Sequence, residues 1–86
     1  MFAVGIDISK DFFTSSCVTP AISASGLTFD VLWTGLDLSQ DESGWRSLVD
    51  QVHTRRIGRE SCQMIMECTG VYSEKIAHYL FEQGFA

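Results

Sequence analysis

Apolar positions recur along this chain with two different periods, and the change of period divides it into elements. Residues 2–7 read FAVGID and residues 12–18 read FFTSSCV, two short β-prone runs. Between them Ile8-Ser9-Lys10-Asp11 supplies the polar chemistry of a tight connection. Residues 19–26, TPAISASG, hold the only proline and read as a loop. Leu27, Phe29, Val31 and Trp33 then alternate with Thr28, Asp30 and Leu32, the period of two of a strand with one wetter face. After Ser39 the period changes. Trp45, Leu48, Val49 and Val52 fall at helical spacing, which predicts an amphipathic helix from residue 42 to about residue 55. Ser39 followed by Glu42 fits a capping box at its start, and Arg55, Arg56, Gly58 and Arg59 suit its end. Residues 61–67, SCQMIME, read as a short fourth strand. Thr69 is placed to cap a last helix carrying Val71, Ile76, Tyr79 and Leu80 and stopped by Gly84.

The predicted order is β-β-β-α-β-α, an α/β fold. Three successive strands with short links favour an antiparallel meander. The intervening helix permits a crossover that makes strand four parallel to strand one. The chain stops just after a helix, where an α/β unit ordinarily returns to its sheet. The expectation is therefore a single incomplete domain over residues 1–86, part of a longer protein.

Composition narrows the class. At 86 residues and 9.6 kDa the chain forms one domain at most, able to bury about 60% of its unfolded surface. Apolar residues make up 45%, too many for a disordered tail. No apolar run reaches the length of a membrane span, and the start lacks the basic lead of a secretory signal, so a cytoplasmic protein is expected. Cys17, Cys62 and Cys68 are odd in number and lack CxxC spacing, which fits reduced, buried thiols. His53 and His78 have no ligand spacing with any cysteine, so zinc is not expected. The net charge of −5 argues against nucleic-acid binding by bulk electrostatics. Any such role has to pass through metal ions or through basic parts elsewhere.

Two acids carry the candidate chemistry. Asp7 ends strand one and Glu67 ends strand four. If those strands are parallel neighbours, both carboxylates emerge at the sheet edge where open α/β folds bind ligands. Carboxylates about 5 Å apart repel by roughly 3 kcal/mol at an effective dielectric near 20, and a hard divalent cation such as Mg²⁺ offsets this directly. Such a site activates water and stabilises the leaving oxygen of a phosphodiester. The plainer alternative is that Asp7 caps a turn and Glu67 is a surface acid.

The strings around these acids resemble a known family. Val4-Gly5-Ile6-Asp7-Ile8-Ser9-Lys10 is similar to the opening motif of the DEDD-type transposases of bacterial insertion sequences, a group that includes Piv-like invertases and bridge-RNA-guided recombinases. Met66-Glu67-Cys68-Thr69-Gly70-Val71-Tyr72 is similar to its second motif, with Cys68 where alanine is more usual, and Phe81-Glu82-Gln83-Gly84-Phe85 resembles its helix end. Residues 19–59 carry little of the likeness. The resemblance implies an RNase H-like (RuvC-like) mixed sheet, here truncated before its last strand and helix. It implies a transposase or site-specific recombinase that cuts and rejoins DNA. Asp7 and Glu67 would be catalytic Mg²⁺ ligands, the first two of an Asp-Glu-Asp-Asp tetrad. The other two aspartates and the family's serine-bearing domain have no counterpart assigned here, so the chain alone should be inactive and hold metal weakly. DNA, and a guide RNA in some members, are the implied partners.

Lys10, Thr69 and Tyr72 are the candidate nucleic-acid contacts. Lys10 can reach a phosphate, Thr69 can cap a helix start whose N–H groups meet one, and Tyr72 can stack on a base or sugar. Each also has a structural reading, as a solvated turn lysine, a plain cap and a packing residue. The arginines at 55, 56 and 59 read best as a solvated helix end. Two other classes remain. Sugar kinases and actin-like ATPases also open on Gly-Ile-Asp, but Ile8-Ser9-Lys10-Asp11 has no glycine to let phosphate approach. A non-catalytic, self-associating module would have no metal affinity. Self-association is expected in any case, through an open sheet edge or by helix exchange.

Overall fold

The computed structural model describes residues 1–66 and 71–85, with the side chain of Val71 left aside. Strands β1 (Phe2–Ile8), β2 (Phe12–Ser23) and β3 (Gly26–Ser39) precede helix α1 (Glu42–Thr54). A 3₁₀ turn (Arg59–Ser61), strand β4 (Cys62–Met66) and helix α2 (Val71–Glu82) follow. The strands form one sheet in the order β3-β2-β1-β4. β1 is antiparallel to β2, β2 is antiparallel to β3, and β4 is parallel to β1. The mixed α/β fold expected from the sequence is present, including the parallel return of the fourth strand.

Register assigns the two faces of the sheet, because residues directly opposite each other share a face. Val4 lies opposite Cys17 and Met64, and Ile6 opposite Ser15 and Met66. This inner face meets both helices: Val4, Ile6, Phe13, Cys17 and Trp33 form one core with Leu48, Val49 and Val52 of α1, Ile76 and Leu80 of α2, and Phe85. The fully buried Ser15 is satisfied by the Trp33 indole N–H, which donates to its hydroxyl at 3.1 Å. On the outer face stand Ala3, Gly5 and Asp7, opposite Val18, Ser16 and Thr14, with Gln63 and Ile65 of β4 alongside. Among the described residues the buried core draws on the inner face alone.

The segment at 19–26 corrects the sequence expectation. It is no loop. β2 and β3 run through it as a long hairpin, with only Ala24 and Ser25 between the strands. Pro20 is tolerated because β1 ends its pairing at Val18, so this part of β2 has only β3 as a partner. Gly26 takes φ 116°, a left-handed conformation that suits the turn. A second correction concerns alternation. Trp33 is buried, whereas Leu27, Phe29 and Val31 are exposed, although all four have the same parity. The ladder shifts between Cys17, paired with Trp33, and Val18, paired with Val31, so Leu32 is an extra residue and the faces exchange. A second shift lies between Ser15, paired with Leu36, and Cys17, and Gly35 there has φ 62°.

Helix α1 begins differently from the expected capping box. Asp41 is the N-cap, and its carboxylate accepts from the Gly44 N–H at 3.0 Å and from the Ser39 hydroxyl at 2.8 Å. Those bonds hold the Asp41 carboxyl below its ordinary pKa, the Gly44 N–H contributing most. Helix α2 ends as expected at Gly84, with φ 95°. Phe85 N–H bonds back to the Leu80 carbonyl and Gly84 N–H to that of Phe81, a Schellman closure that returns Phe85 to the core. Among the described residues no helix is long and apolar enough to cross a membrane.

Candidate functional site

Asp7 stands near the C-terminal end of β1, exposed on the outer face. Its strand neighbour in the parallel ladder is the end of β4: Ile6 pairs with Met66, and Met66 is joined directly to Glu67 in the chain. Glu67 and Thr69 lie outside the described residues. Around Asp7 a shallow depression of about 560 Å³ is lined by Gly5, Ile6, Thr14, Ser16, Ile65 and Met66. The space over Gly5 is open, since even a Cβ there would come no nearer than 4.0 Å to the Ser16 carbonyl.

Asp7 is one of a row that crosses three strands. It lies opposite Thr14, and Thr14 lies opposite Asp37 of β3. The Thr14 hydroxyl donates to an Asp37 carboxylate oxygen at 2.6 Å. No motif marks Asp37 or Thr14 in the sequence, where an aspartate in LDLS reads as a polar residue at a strand end. Only the pairing register brings them beside Asp7. The donors in this row are all oxygens, which suits a hard cation. Among the described residues, no group of three or more His, Cys, Asp or Glu side chains is placed to hold a metal ion.

Lys10 is exposed in the β1–β2 turn, which closes through Ser9 N–H and the Phe12 carbonyl at 2.9 Å. Tyr72 is exposed in the first turn of α2. Gln40 connects these segments. Its backbone N–H donates to the Asp11 carbonyl at 3.1 Å, and its side-chain Nε2 donates to the Tyr72 carbonyl at 2.8 Å. Its Oε1 accepts the Trp45 indole N–H at 3.1 Å. One glutamine thus ties the turn carrying Lys10 to the start of α2 and the start of α1. No sequence signal marks it, because a glutamine between a strand and a helix carries no motif.

Arg55, Arg56 and Arg59 are all exposed, as a solvated helix end would be, and two of them also lie over aromatic rings. The Arg55 guanidinium lies 4.8 Å from the Trp33 ring centroid, and that of Arg59 lies 5.8 Å from Phe85. Cys17 and Cys62 are buried free thiols, as expected. Burial pushes Cys62 up to about 11, with a smaller contribution from Cys17. Cys17 is also raised by burial, against the opposing pull of Arg55. Neither is a poised nucleophile. Comparison with known proteins finds no family model that matches the chain and no matching relative among curated proteins.

Proposed function

We propose that this chain forms the opening part of the RuvC-like, RNase H-like catalytic domain of a DEDD-type transposase or recombinase, in which Asp7 and Glu67 are two of four Mg²⁺ ligands. The observation that supports this reading most is the parallel pairing of β1 with β4. It sets Met66 beside Ile6, so the two acids singled out by the motifs follow residues that are direct ladder partners. The open depression at Asp7 and the row of oxygen donors formed by Asp7, Thr14 and Asp37 add to it. When bound, the metal supplies an activated water and charge stabilisation for phosphodiester cleavage and rejoining. The chain's part is to hold the Asp7 carboxylate at a strand end, exposed to solvent.

Lys10 and Tyr72 serve the same end of the sheet in this reading, with Lys10 offering a cation to a phosphate and Tyr72 a ring to a base. Thr69 belongs with them by motif. DNA is the substrate, a guide RNA is a further partner in members that use one, and the enzyme works in the cytoplasm. A kinase-like reading is disfavoured by the β1–β2 turn, which has no glycine at its tip and turns the Ser9 N–H inward to the Phe12 carbonyl.

Calorimetric titration of the full-length protein with Mg²⁺ or Mn²⁺ tests the proposal, run beside a DNA-cleavage assay. Asp7→Asn should weaken metal binding at least tenfold and abolish cleavage while leaving the melting temperature nearly unchanged, because Asp7 is exposed. Equal metal affinity and cleavage in the variant would overturn the assignment. A melting shift with ATP rather than with metal and DNA would favour the kinase-like class.

A further inference from the structure

Beyond the pairing of Val18 with Val31, the β2–β3 hairpin is a two-stranded ribbon with a distinct outer face. Val18 opposite Val31, Pro20 opposite Phe29 and Ile22 opposite Leu27 place six apolar side chains in three successive cross-strand pairs. The large ones are unusually bare: Ile22 is 91% exposed, Leu27 72%, Phe29 61% and Val31 60%. None of the six belongs to the core cluster or packs against it. A contiguous apolar strip of this kind marks an interaction surface.

Charge selects the class of occupant. Residues 12–39 contain no lysine or arginine, and their only charged side chains are Asp30 and Asp37. A nucleic acid or an anionic lipid surface would need cations here. The occupant is therefore protein. We infer that this ribbon face is the interface of a twofold dimer, in which the occupant is the same face of a second copy of this chain.

The strip is self-complementary: it is apolar throughout, and a twofold axis lays identical cross-strand pairs against each other, sheet on sheet. Its area is sufficient for a weak dimer. These side chains offer roughly 500 Å² per copy, or about 1,000 Å² between two copies, the lower bound of specific interfaces. Area alone does not fix affinity, so a weak, reversible dimer is expected, readable between about 10 µM and 1 mM. The surface is distinct from both the β4 edge and the depression at Asp7, so the dimer stands or falls independently of any catalytic role.

Sedimentation equilibrium of the full chain tests this. The wild type should dimerise in that concentration range. Phe29→Glu and Phe29→Lys should each raise the dissociation constant at least tenfold, with unchanged circular dichroism, since Phe29 is largely exposed. Mixing the two variants should restore a heterodimer, a result that misfolding cannot imitate. Gln63→Lys, on β4, should leave the dimer intact. A wild type that stays monomeric to about 1 mM, a dimer that survives Phe29→Glu, or one that dissociates only with Gln63→Lys would overturn the inference. So would binding of the wild-type ribbon to anionic vesicles or DNA that Phe29→Glu removes while the monomer is unaffected.

Discussion

Ser15 is the buried polar side chain on which the inner face depends. Its hydroxyl has no exposure and takes the Trp33 N–H in the core. Ser15→Ala would strand that N–H away from water at a cost of about 1–3 kcal/mol. Urea denaturation should show the loss, whereas an unchanged midpoint would mean that the indole reaches another acceptor. Cys62 makes a prediction in pH. Its thiol is pushed up to about 11 from an ordinary value of 9.0, so the folded state disfavours the thiolate. Its contribution to stability is complete below pH 9 and is lost as the pH rises from there through about 11. Cys62→Ala should flatten the alkaline slope of the denaturation midpoint relative to wild type. A parallel slope in the two proteins would show that the thiol is not its source. Asp41 works in the opposite direction: its lowered pKa stabilises the fold above the unfolded carboxylate range and is lost on acidification. At this scale the candidate site was half legible. The motif around Asp7 drew attention to that residue, but Asp37 and Gln40 enter only through pairing and hydrogen bonds between segments more than twenty residues apart.

Helix α1 shows how an element can override its residues' propensities. Gly44 lies in its first turn, where alanine would ordinarily gain about 1 kcal/mol. A Cβ at Gly44 would, however, stand 1.7 Å from the Ser39 carbonyl oxygen. Gly44→Ala should therefore destabilise the protein by about 2 kcal/mol or more, as an overpacked site does. Stabilisation in chemical denaturation would show that the lead-in through Gln40 and Asp41 can move aside. The helix itself was legible from Trp45, Leu48, Val49 and Val52. Its cap is ambiguous in the sequence because Ser39 and Asp41 are both good caps, and only the bond from the Gly44 N–H to Asp41 decides between them. The hairpin is hidden in the sequence for a different reason. Pro20 and the small residues around it carry loop chemistry, and their strand geometry depends on β1 stopping at Val18. A bulge at Leu32 then reverses the faces that simple alternation assigns to Val31 and Trp33.

At the scale of the molecule the ribbon changes the proportions. The chain measures 43 × 21 × 19 Å and exposes 5534 Å², against about 5,000 Å² expected from its mass. Four large apolar side chains, Ile22, Leu27, Phe29 and Val31, lie outside the core on this ribbon. The same pairing that places Asp7 beside the end of β4 also fixes an order of assembly. β1 finds β2 within about ten residues, but its parallel partner lies some sixty residues further on. Contacts of short range form first, because closing the longer loop costs more entropy. Pulse-labelled hydrogen exchange during refolding should protect the amides of β2 and β3 before those of β4. During synthesis, Asp7 would wait in a three-stranded meander until Cys62–Met66 left the ribosome, so β1, an inner strand of the sheet, is the first made and the last to gain its second neighbour.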